Sequence, residues 1–276
     1  MTTYLRPRDL DEAVATRAAH PDWMVLAGGT DLMVNANHKA EPAGILDLWR
    51  LDAIGGIRAS EATIEIGAGA TWHEVERHEV IRAKLPALAQ AAREIGALQI
   101  QARATLGGNV GTSSPVGDSL PVLLALDATL EVASVRGRRR VPYREWCTGY
   151  RKTQLAPDEL IASASIPVPP ASTRVVFRKV GTRRAQSISK VMGAAAIALD
   201  GDLVTSARVA LGAVADRPVR IALVEQQVVG LRLGPAAEAA RAALRGAIRP
   251  IDDVRSTASY RRTVAENLVA RFFRVA

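Results

Sequence analysis

The apolar positions of the first 50 residues predict one short helix followed by short strands. A helical period runs over residues 10–19, and Asp9 precedes it as a candidate N-cap. Short apolar runs at 24–26 and 44–48 predict two strands. The first of these strands leads directly into the glycine-containing segment Ala27-Gly-Gly-Thr-Asp31.

Residues 56–166 carry a second series of strand and helix patterns. Alternating apolar positions at 56–60 and 63–67 predict a hairpin with one buried face. Helical patterns follow at 72–78, 85–95 and 120–128, and a strand-like run at 129–135 precedes Gly137, which marks a second hairpin tip. A second glycine-rich segment, residues 105–118, lies between the helical patterns and is interpreted as a loop.

The proline-rich segment Pro167-Val-Pro-Pro170 predicts the main domain boundary. Beyond it, runs at 173–180, 194–199 and 206–211 have the pattern of antiparallel strands. Residues 223–231, 236–247 and 259–273 are helical by period and propensity. The last hundred residues are therefore predicted to form three strands backed by helices.

Composition indicates a globular protein without a membrane span. Of the 276 residues, 48% are apolar. The longest apolar or small-residue stretch, 191–199, is far shorter than the roughly 20 residues that a membrane helix needs. The start of the sequence lacks the apolar core of a secretory signal, so we expect a cytoplasmic protein. Cys147 is the single cysteine, which excludes an internal disulfide and an iron–sulfur cluster held by this chain alone.

The formal charge of +8 permits an acidic partner, an anionic ligand or nucleic acid, although a generally basic surface explains it more simply. The densest basic run is Arg136-Gly-Arg-Arg-Arg140. It contains no aromatic side chain that could stack on a base, so we do not expect nucleic-acid binding.

The two glycine segments are the candidate chemistry of the chain. Glycine lets backbone N–H groups converge on a phosphate without a side chain blocking the approach. Gly28 and Gly29 offer this in the first segment, and Gly107 and Gly108 in the second, each beside small hydroxyl residues. Asp118 would repel a phosphate but accept hydrogen bonds from sugar-like hydroxyls. The pair predicts a dinucleotide held from two sides, although tight turns between strands would give the same pattern.

Other chemistries lack their signatures. The sequence has no Gly-x-Gly-x-x-Gly after a strand and no Gly-x-x-x-x-Gly-Lys-Ser/Thr, which excludes the usual Rossmann and P-loop motifs. His73 and His78 are not spaced four residues apart as a helical zinc motif requires. No Gly-x-Ser-x-Gly is present, and Cys147 has no histidine near it in sequence.

Five segments together resemble the FAD-binding, or medium, subunit of the molybdenum hydroxylases, the family of xanthine dehydrogenase, aldehyde oxidoreductase and aerobic carbon monoxide dehydrogenase. They are Ala27-Gly-Gly-Thr-Asp-Leu32; Ala104-Thr-Leu-Gly-Gly-Asn109 with Ser114-Pro-Val-Gly-Asp118; Pro157-Asp-Glu-Leu-Ile161; residues 178–191; and Asp253-Val-Arg255 with Tyr260-Arg-Arg262. They occur in the family's order and span nearly the whole chain.

The resemblance implies an α+β fold like that of the vanillyl-alcohol-oxidase, or PCMH-type, flavoproteins. Two subdomains, at residues 1–55 and 56–170, would hold FAD between them. Residues 171–276 would form a C-terminal α+β domain, a three-stranded antiparallel sheet with helices.

The resemblance also assigns candidate FAD-binding residues. The pyrophosphate segment is Leu26, Ala27, Gly28, Gly29, Thr30, Asp31 and Leu32. The second cofactor segment is Thr105, Gly107, Gly108, Asn109, Thr112, Ser114 and Asp118, with Asp118 at the ribityl or ribose hydroxyls. Ile95 and Ile161 match apolar contacts to the cofactor, and Lys179 matches a basic one.

By this resemblance the chain is the FAD-carrying electron-transfer subunit of a multi-subunit molybdenum hydroxylase. Electrons would arrive from a [2Fe-2S] small subunit, after substrate oxidation at the molybdenum cofactor of a large subunit, and leave to NAD, dioxygen, a quinone or another acceptor. The expected assembly is a dimer of heterotrimers, and no side chain here is expected to be catalytic. Two alternatives remain open, a stand-alone FAD oxidase or dehydrogenase for a small organic substrate and a flavin-free interaction module.

Overall fold

The computed structural model describes residues 2–34 and 40–274. The strands are β1 (Thr3–Leu5), β2 (Met24–Leu26), β3 (Gly44–Asp47), β4 (Ile57–Ala59), β5 (Thr63–Gly67), β6 (Thr129–Ser134), β7 (Gly137–Pro142), β8 (Cys147–Gly149), β9 (Lys152–Thr153), β10 (Leu160–Pro167), β11 (Thr173–Val180), β12 (Val191–Asp200), β13 (Leu203–Gly212) and β14 (Val219–Arg220). The α-helices are α1 (Leu10–Ala19), α2 (Trp72–Arg77), α3 (Glu79–Lys84), α4 (Pro86–Glu94), α5 (Leu98–Gln101), α6 (Leu106–Thr112), α7 (Leu120–Ala125), α8 (Tyr143–Trp146), α9 (Ala222–Val228), α10 (Leu233–Leu244) and α11 (Ala258–Phe272).

A parallel three-stranded sheet, in the order β1-β3-β2, forms the first layer. The prediction that Asp9 caps the first helix is confirmed, since its side chain accepts a hydrogen bond from the amide of Glu12. Because β2 and β3 are parallel, their carboxyl ends meet at one edge of the sheet. The first glycine segment leaves the sheet at that edge, directly after β2.

A second sheet of the described residues has the antiparallel order β4-β5-β10-β6-β7. The predicted hairpins β4–β5 and β6–β7 are confirmed, and the second turns at Gly137 with φ +110°. The pairing of β10 with β6 shifts register between Ile161 and Ser163. Bulges of this kind are frequent beside binding sites because they redirect a strand's side chains.

The basic run on β7 is largely neutralised within the protein. Arg136 pairs with Asp158, Arg138 with Glu131, and the Arg139 Nε lies 2.7 Å from a carboxylate oxygen of Glu159. These ion pairs account for three of the arginines that give the segment its charge.

The C-terminal sheet has one strand more than predicted. β11, β12 and β13 pair antiparallel as expected, and the two-residue strand β14 pairs with Ala210 and Leu211 at the edge of β13. So short a strand, directly after Pro218, leaves no alternation to detect in the sequence. Helices α9, α10 and α11 cover this sheet and share a core of buried apolar side chains with it. Among the described helices, none is both long and apolar enough to span a bilayer.

The second glycine segment is a helix rather than the loop that was predicted. Residues 106–112 form α6, and the side chain of Thr105 caps it by accepting a hydrogen bond from the amide of Gly108. An isolated bridge also joins Thr105 to Thr71, which itself caps α2. Two glycines in four residues argue against a helix on propensity alone, so tertiary contacts and the cap decide the conformation here.

Candidate functional site

A cleft of about 850 Å³ lies between the parallel sheet, the antiparallel sheet and the connection from β11 to β12. Its volume is within the range of small-molecule and cofactor sites. Most of the predicted cofactor residues line it: Ala27, Gly28, Gly29, Thr30, Asp31, Leu32, Ile95, Thr105, Gly107, Gly108, Asn109, Thr112, Ser114, Asp118 and Ile161. Leu26 and Lys179 do not.

The first glycine segment presents unused backbone donors to the cleft. Within residues 2–34 and 40–274, the N–H groups of residues 28–31 have no hydrogen-bond acceptor. Gly29 has φ +77°, in the left-handed region that favours glycine. A Cβ on Gly28 would lie 1.8 Å from the carbonyl oxygen of Arg103, so only glycine lets the segment pack this closely. Four consecutive amides at the edge of a cleft suit an oxyanion.

The amides of Gly107, Gly108 and Asn109 at the start of α6, in contrast, are already used, which corrects the expectation that they converge on a phosphate. The Gly107 amide donates to the Ala68 carbonyl at 2.7 Å, and the Gly108 amide to Thr105 Oγ1 at 3.0 Å. The amide of Asn109 donates to the Thr105 carbonyl at 3.0 Å. The start of α6 satisfies its N–H groups by capping and by pairing with residues 68–70, so it has none left for a ligand.

Instead, α6 gives the cleft a face almost without side chains. Gly108 and Gly111 lie three residues apart, on the same side of the helix, and both are exposed. A Cβ on Gly108 would meet only Thr105 Oγ1, at 3.1 Å, and one on Gly111 only Ile161 Cδ1, at 3.6 Å. These glycines allow a flat ligand to approach the helix closely, which is a steric role rather than a hydrogen-bonding one.

Polar side chains flank this face. The Ser119 hydroxyl donates to Asn109 Oδ1 at 2.6 Å, which fixes the Asn109 side chain and leaves its NH₂ group as a donor. Thr112 Oγ1 lies 3.5 Å from Asp31 Oδ2, so the end of α6 reaches the first glycine segment. Ser114, in the turn that follows the helix, also lines the cleft.

Asp118 lies at the base of the cleft in a buried ionic cluster. Its carboxylate accepts from Lys179 Nζ and from Ser189 Oγ, each at 2.6 Å, and Lys179 Nζ also donates to the Glu94 carbonyl at 2.9 Å. Burial raises the pKa of Asp118, while Lys179 and Ser189 oppose that shift. A buried ammonium needs a carboxylate partner, which explains why Lys179 lies behind Asp118 rather than in the cleft. Lys179 therefore acts on the cleft through Asp118.

Leu26 lies in β2 and is not among the residues that line the cleft. Its carbonyl accepts from the Leu48 amide at 2.7 Å, which holds β2 against the end of β3. Its Cδ1 would be 3.4 Å from a Cβ on Gly29. Leu26 therefore packs near the glycine segment and holds the end of β2 in place.

The sequence did not identify the connection between β11 and β12 as part of the lining. Gln186, Ser187 and Ile188 lie along the cleft, and the Gln186 amide donates to the Gly96 carbonyl at 3.0 Å. Ile188 is 51% exposed there. The connection has no periodic pattern that could have identified it. The one sequence signal was that residues 186–188 lie within 178–191, a segment that resembles the family.

An apolar end of the cleft was also missed in part. Trp23, which precedes β2, and Val25 of β2 line the cleft, as do Leu160 and Ile161 of β10. Of these, only Ile161 was predicted. The described part of the chain contains no group of three or more His, Cys, Asp or Glu side chains that could hold a metal.

Two family models match the chain. Residues 1–169 match the FAD binding domain in molybdopterin dehydrogenase, and residues 176–276 match the CO dehydrogenase flavoprotein C-terminal domain.

Individual proteins are similar over most of the chain. The nicotinate dehydrogenase FAD-subunit of Eubacterium barkeri is 33% identical over 237 residues, or 83% of this chain and 80% of that protein. The glyceraldehyde dehydrogenase medium chain of Sulfolobus acidocaldarius is 30% identical over 274 residues, or 99% and 97%. A solved carbon monoxide dehydrogenase chain from Hydrogenophaga pseudoflava has a TM-score of 0.94 at 28% identity, over 98% of this chain and 95% of that one.

Proposed function

This chain belongs to the family of FAD-binding domains in molybdopterin dehydrogenases, and we propose that it holds FAD in the cleft with the diphosphate on the amides of residues 28–31. The fold is the PCMH-type fold of the medium subunits, and the chain is the FAD-carrying subunit of a molybdenum-dependent dehydrogenase complex. We propose that the reduced FAD passes its electrons to NAD, dioxygen, a quinone or another acceptor.

The observation that carries the proposal is the pairing of unused amide donors with the glycine face of α6. The donors of residues 28–31 and the exposed glycines Gly108 and Gly111 both line the cleft. A dinucleotide needs anion donors at its centre and flat, side-chain-free or apolar surfaces for its rings. The cleft supplies both, so the residues present fit FAD.

The remaining lining residues have distinct tasks. Ile95 and Ile161 give apolar contacts and exclude water, and the NH₂ group of Asn109 is a hydrogen-bond donor. Asp118 keeps lone pairs free for sugar or ribityl hydroxyls, because Lys179 and Ser189 use only part of its acceptor capacity. Bound FAD supplies the redox chemistry itself, accepting electrons and releasing them to an acceptor. The protein's residues bind and orient it, and none is assigned proton transfer.

The proposal includes the partners. Relatives over most of the chain are named as an FAD-subunit and a medium chain of dehydrogenases, and we propose that a [2Fe-2S] small subunit feeds electrons to this chain. The molybdenum cofactor belongs to a large subunit in the same proposal. We further propose a cytoplasmic dimer of heterotrimers. Native mass spectrometry of the complex would give two copies of each chain; a single copy would contradict that stoichiometry.

A direct test is to purify the tagged chain from its source and record visible absorption and the co-purifying chains. We expect oxidised-flavin bands with one FAD per chain, together with an iron–sulfur chain and a molybdenum chain. Gly108→Val is the site variant, and Gly246→Val, in the turn after α10 where a Cβ would have open space, is its control. A folded Gly108→Val protein with full flavin content would contradict the site, and a flavin-free wild-type complex would contradict the function.

A further inference from the structure

Each carboxylate that lines the cleft is neutralised by a basic residue that does not line it. The three pairs are Asp31 with Arg151, Asp118 with Lys179, and Glu159 with Arg139. An anionic ligand would be repelled by three uncompensated carboxylates in its own site. The basic partners therefore make an acidic lining compatible with an anion.

The pair formed by Asp31 and Arg151 differs from the other two because both members are accessible. The side chains of Asp31 and Arg151 are 54% and 43% exposed, whereas Asp118 and Lys179 are 9% and 6% exposed. One guanidinium nitrogen of Arg151 lies 2.9 Å from each carboxylate oxygen of Asp31. Asp31 itself is the last of the four residues whose amides are unused.

Arg151 is held at this position at a conformational cost. It lies in the turn between β8 and β9, with φ +52°. That region is the left-handed one, which glycine and asparagine occupy more easily. The turn thus has an arginine at a position where glycine would be less strained. This arginine contacts Asp31 in the first glycine segment, 120 residues earlier in the chain. Unusual backbone conformations of this kind are concentrated at functional positions.

We propose that Arg151 is a positioning residue for FAD, acting through Asp31. It cancels the carboxylate charge that stands beside the amides of residues 28–31, and it ties the β8–β9 turn to the first glycine segment. Without Arg151, the charge of Asp31 faces the FAD diphosphate directly. This inference rests on the proposed diphosphate position.

The test is a double-mutant cycle on the full-length chain freed of flavin, with FAD dissociation constants measured by flavin fluorescence. We expect Arg151→Gln to raise the dissociation constant about tenfold at low salt, and less at high salt, because exposed charges are screened. In the Asp31→Asn background, the same change at Arg151 should alter the FAD dissociation constant less than about threefold, since no carboxylate charge remains at residue 31 to cancel. Arg58→Gln, which breaks an exposed pair with Glu65 on β4 and β5, is the matched control.

Two results would overturn the proposal. One is an unchanged dissociation constant in Arg151→Gln. The other is an equal rise in the FAD dissociation constant when Arg151 is replaced in the wild-type background and in the Asp31→Asn background. Arg151 would then act on the cofactor directly or only through folding. Gly108→Val separates these from a failure of the proposed function: if it also binds FAD normally, the cleft assignment itself is wrong.

Discussion

Replacing Gly108 with valine adds three carbon atoms to the face of α6 that borders the cleft. A Cβ there meets no protein atom within 4 Å except Thr105 Oγ1, at 3.1 Å. The threonine hydroxyl must move by a few tenths of an ångström, and full loss of its cap to the Gly108 amide would cost about 1 kcal/mol. Valine has a higher helix propensity than glycine, which offsets this loss of stability by a few tenths of a kcal/mol. We therefore expect the free energy of unfolding without flavin to fall by no more than about 1 kcal/mol.

The effect on FAD should be much larger. Inserting carbon atoms into a filled site costs about 1–3 kcal/mol, which corresponds to roughly a 5- to 150-fold weaker dissociation constant. The assay pairs urea denaturation of the flavin-free chain with fluorescence titration of FAD. Gly246→Val is the control, because Gly246 lies in the exposed turn after α10, outside the cleft lining, where a Cβ would have open space. A wild-type dissociation constant in folded Gly108→Val would refute the reasoning that this face of α6 contacts the cofactor.

Three further changes test other parts of the structure. Gly28→Ala brings a Cβ within 1.8 Å of the Arg103 carbonyl oxygen and should lower the free energy of unfolding, measured by urea denaturation, by about 1–3 kcal/mol. An unchanged urea midpoint would mean that this backbone contact is absent. Lys179→Met leaves the buried Asp118 carboxylate without its partner and should lower the free energy of unfolding by about 3–5 kcal/mol. Adding Asp118→Asn should restore part of that loss, whereas a loss below about 1 kcal/mol in Lys179→Met would argue against a buried pair. Burial alone would raise the pKa of Asp253, but amides of the following turn and the Arg261 guanidinium lower it to about 2. Because that pKa lies below the unfolded value, this stabilisation is present above about pH 4 and is lost as pH falls through 2. Asp253→Asn should therefore be less stable than wild type at pH 7 and converge with it in acid; a pH-independent difference would contradict the shift.

Much of the fold could be predicted because local patterns agree with it. The N-cap at Asp9, the hairpins at 57–67 and 129–142 and the three long C-terminal strands all follow from spacing and turn residues. The failures have physical causes. α6 forms against its glycine content because Thr105 caps it and residues 68–70 pair with its first amides, and neither partner is close in sequence.

The sequence predicted which segments form the candidate site, but not the role that each segment has in it. Glycine content identified residues 27–31 and 105–118, yet both were expected to donate amides to phosphate. The amides of residues 28–31 are free among the described residues, whereas those of Gly107, Gly108 and Asn109 are bonded within the protein, so the start of α6 contributes surface. The role of Arg151 depends on a contact between residues 120 positions apart, which no local pattern records.

The most direct test of the central claim is a high-resolution density map of the FAD-loaded complex at this cleft. The account predicts the FAD diphosphate within hydrogen-bond distance, about 3 Å, of the amides of residues 28–31, with the Gly107 and Gly108 amides still bonded to Ala68 and Thr105. A diphosphate seated instead on the first turn of α6, or a cleft filled by the protein's own side chains while FAD lies elsewhere, would contradict it.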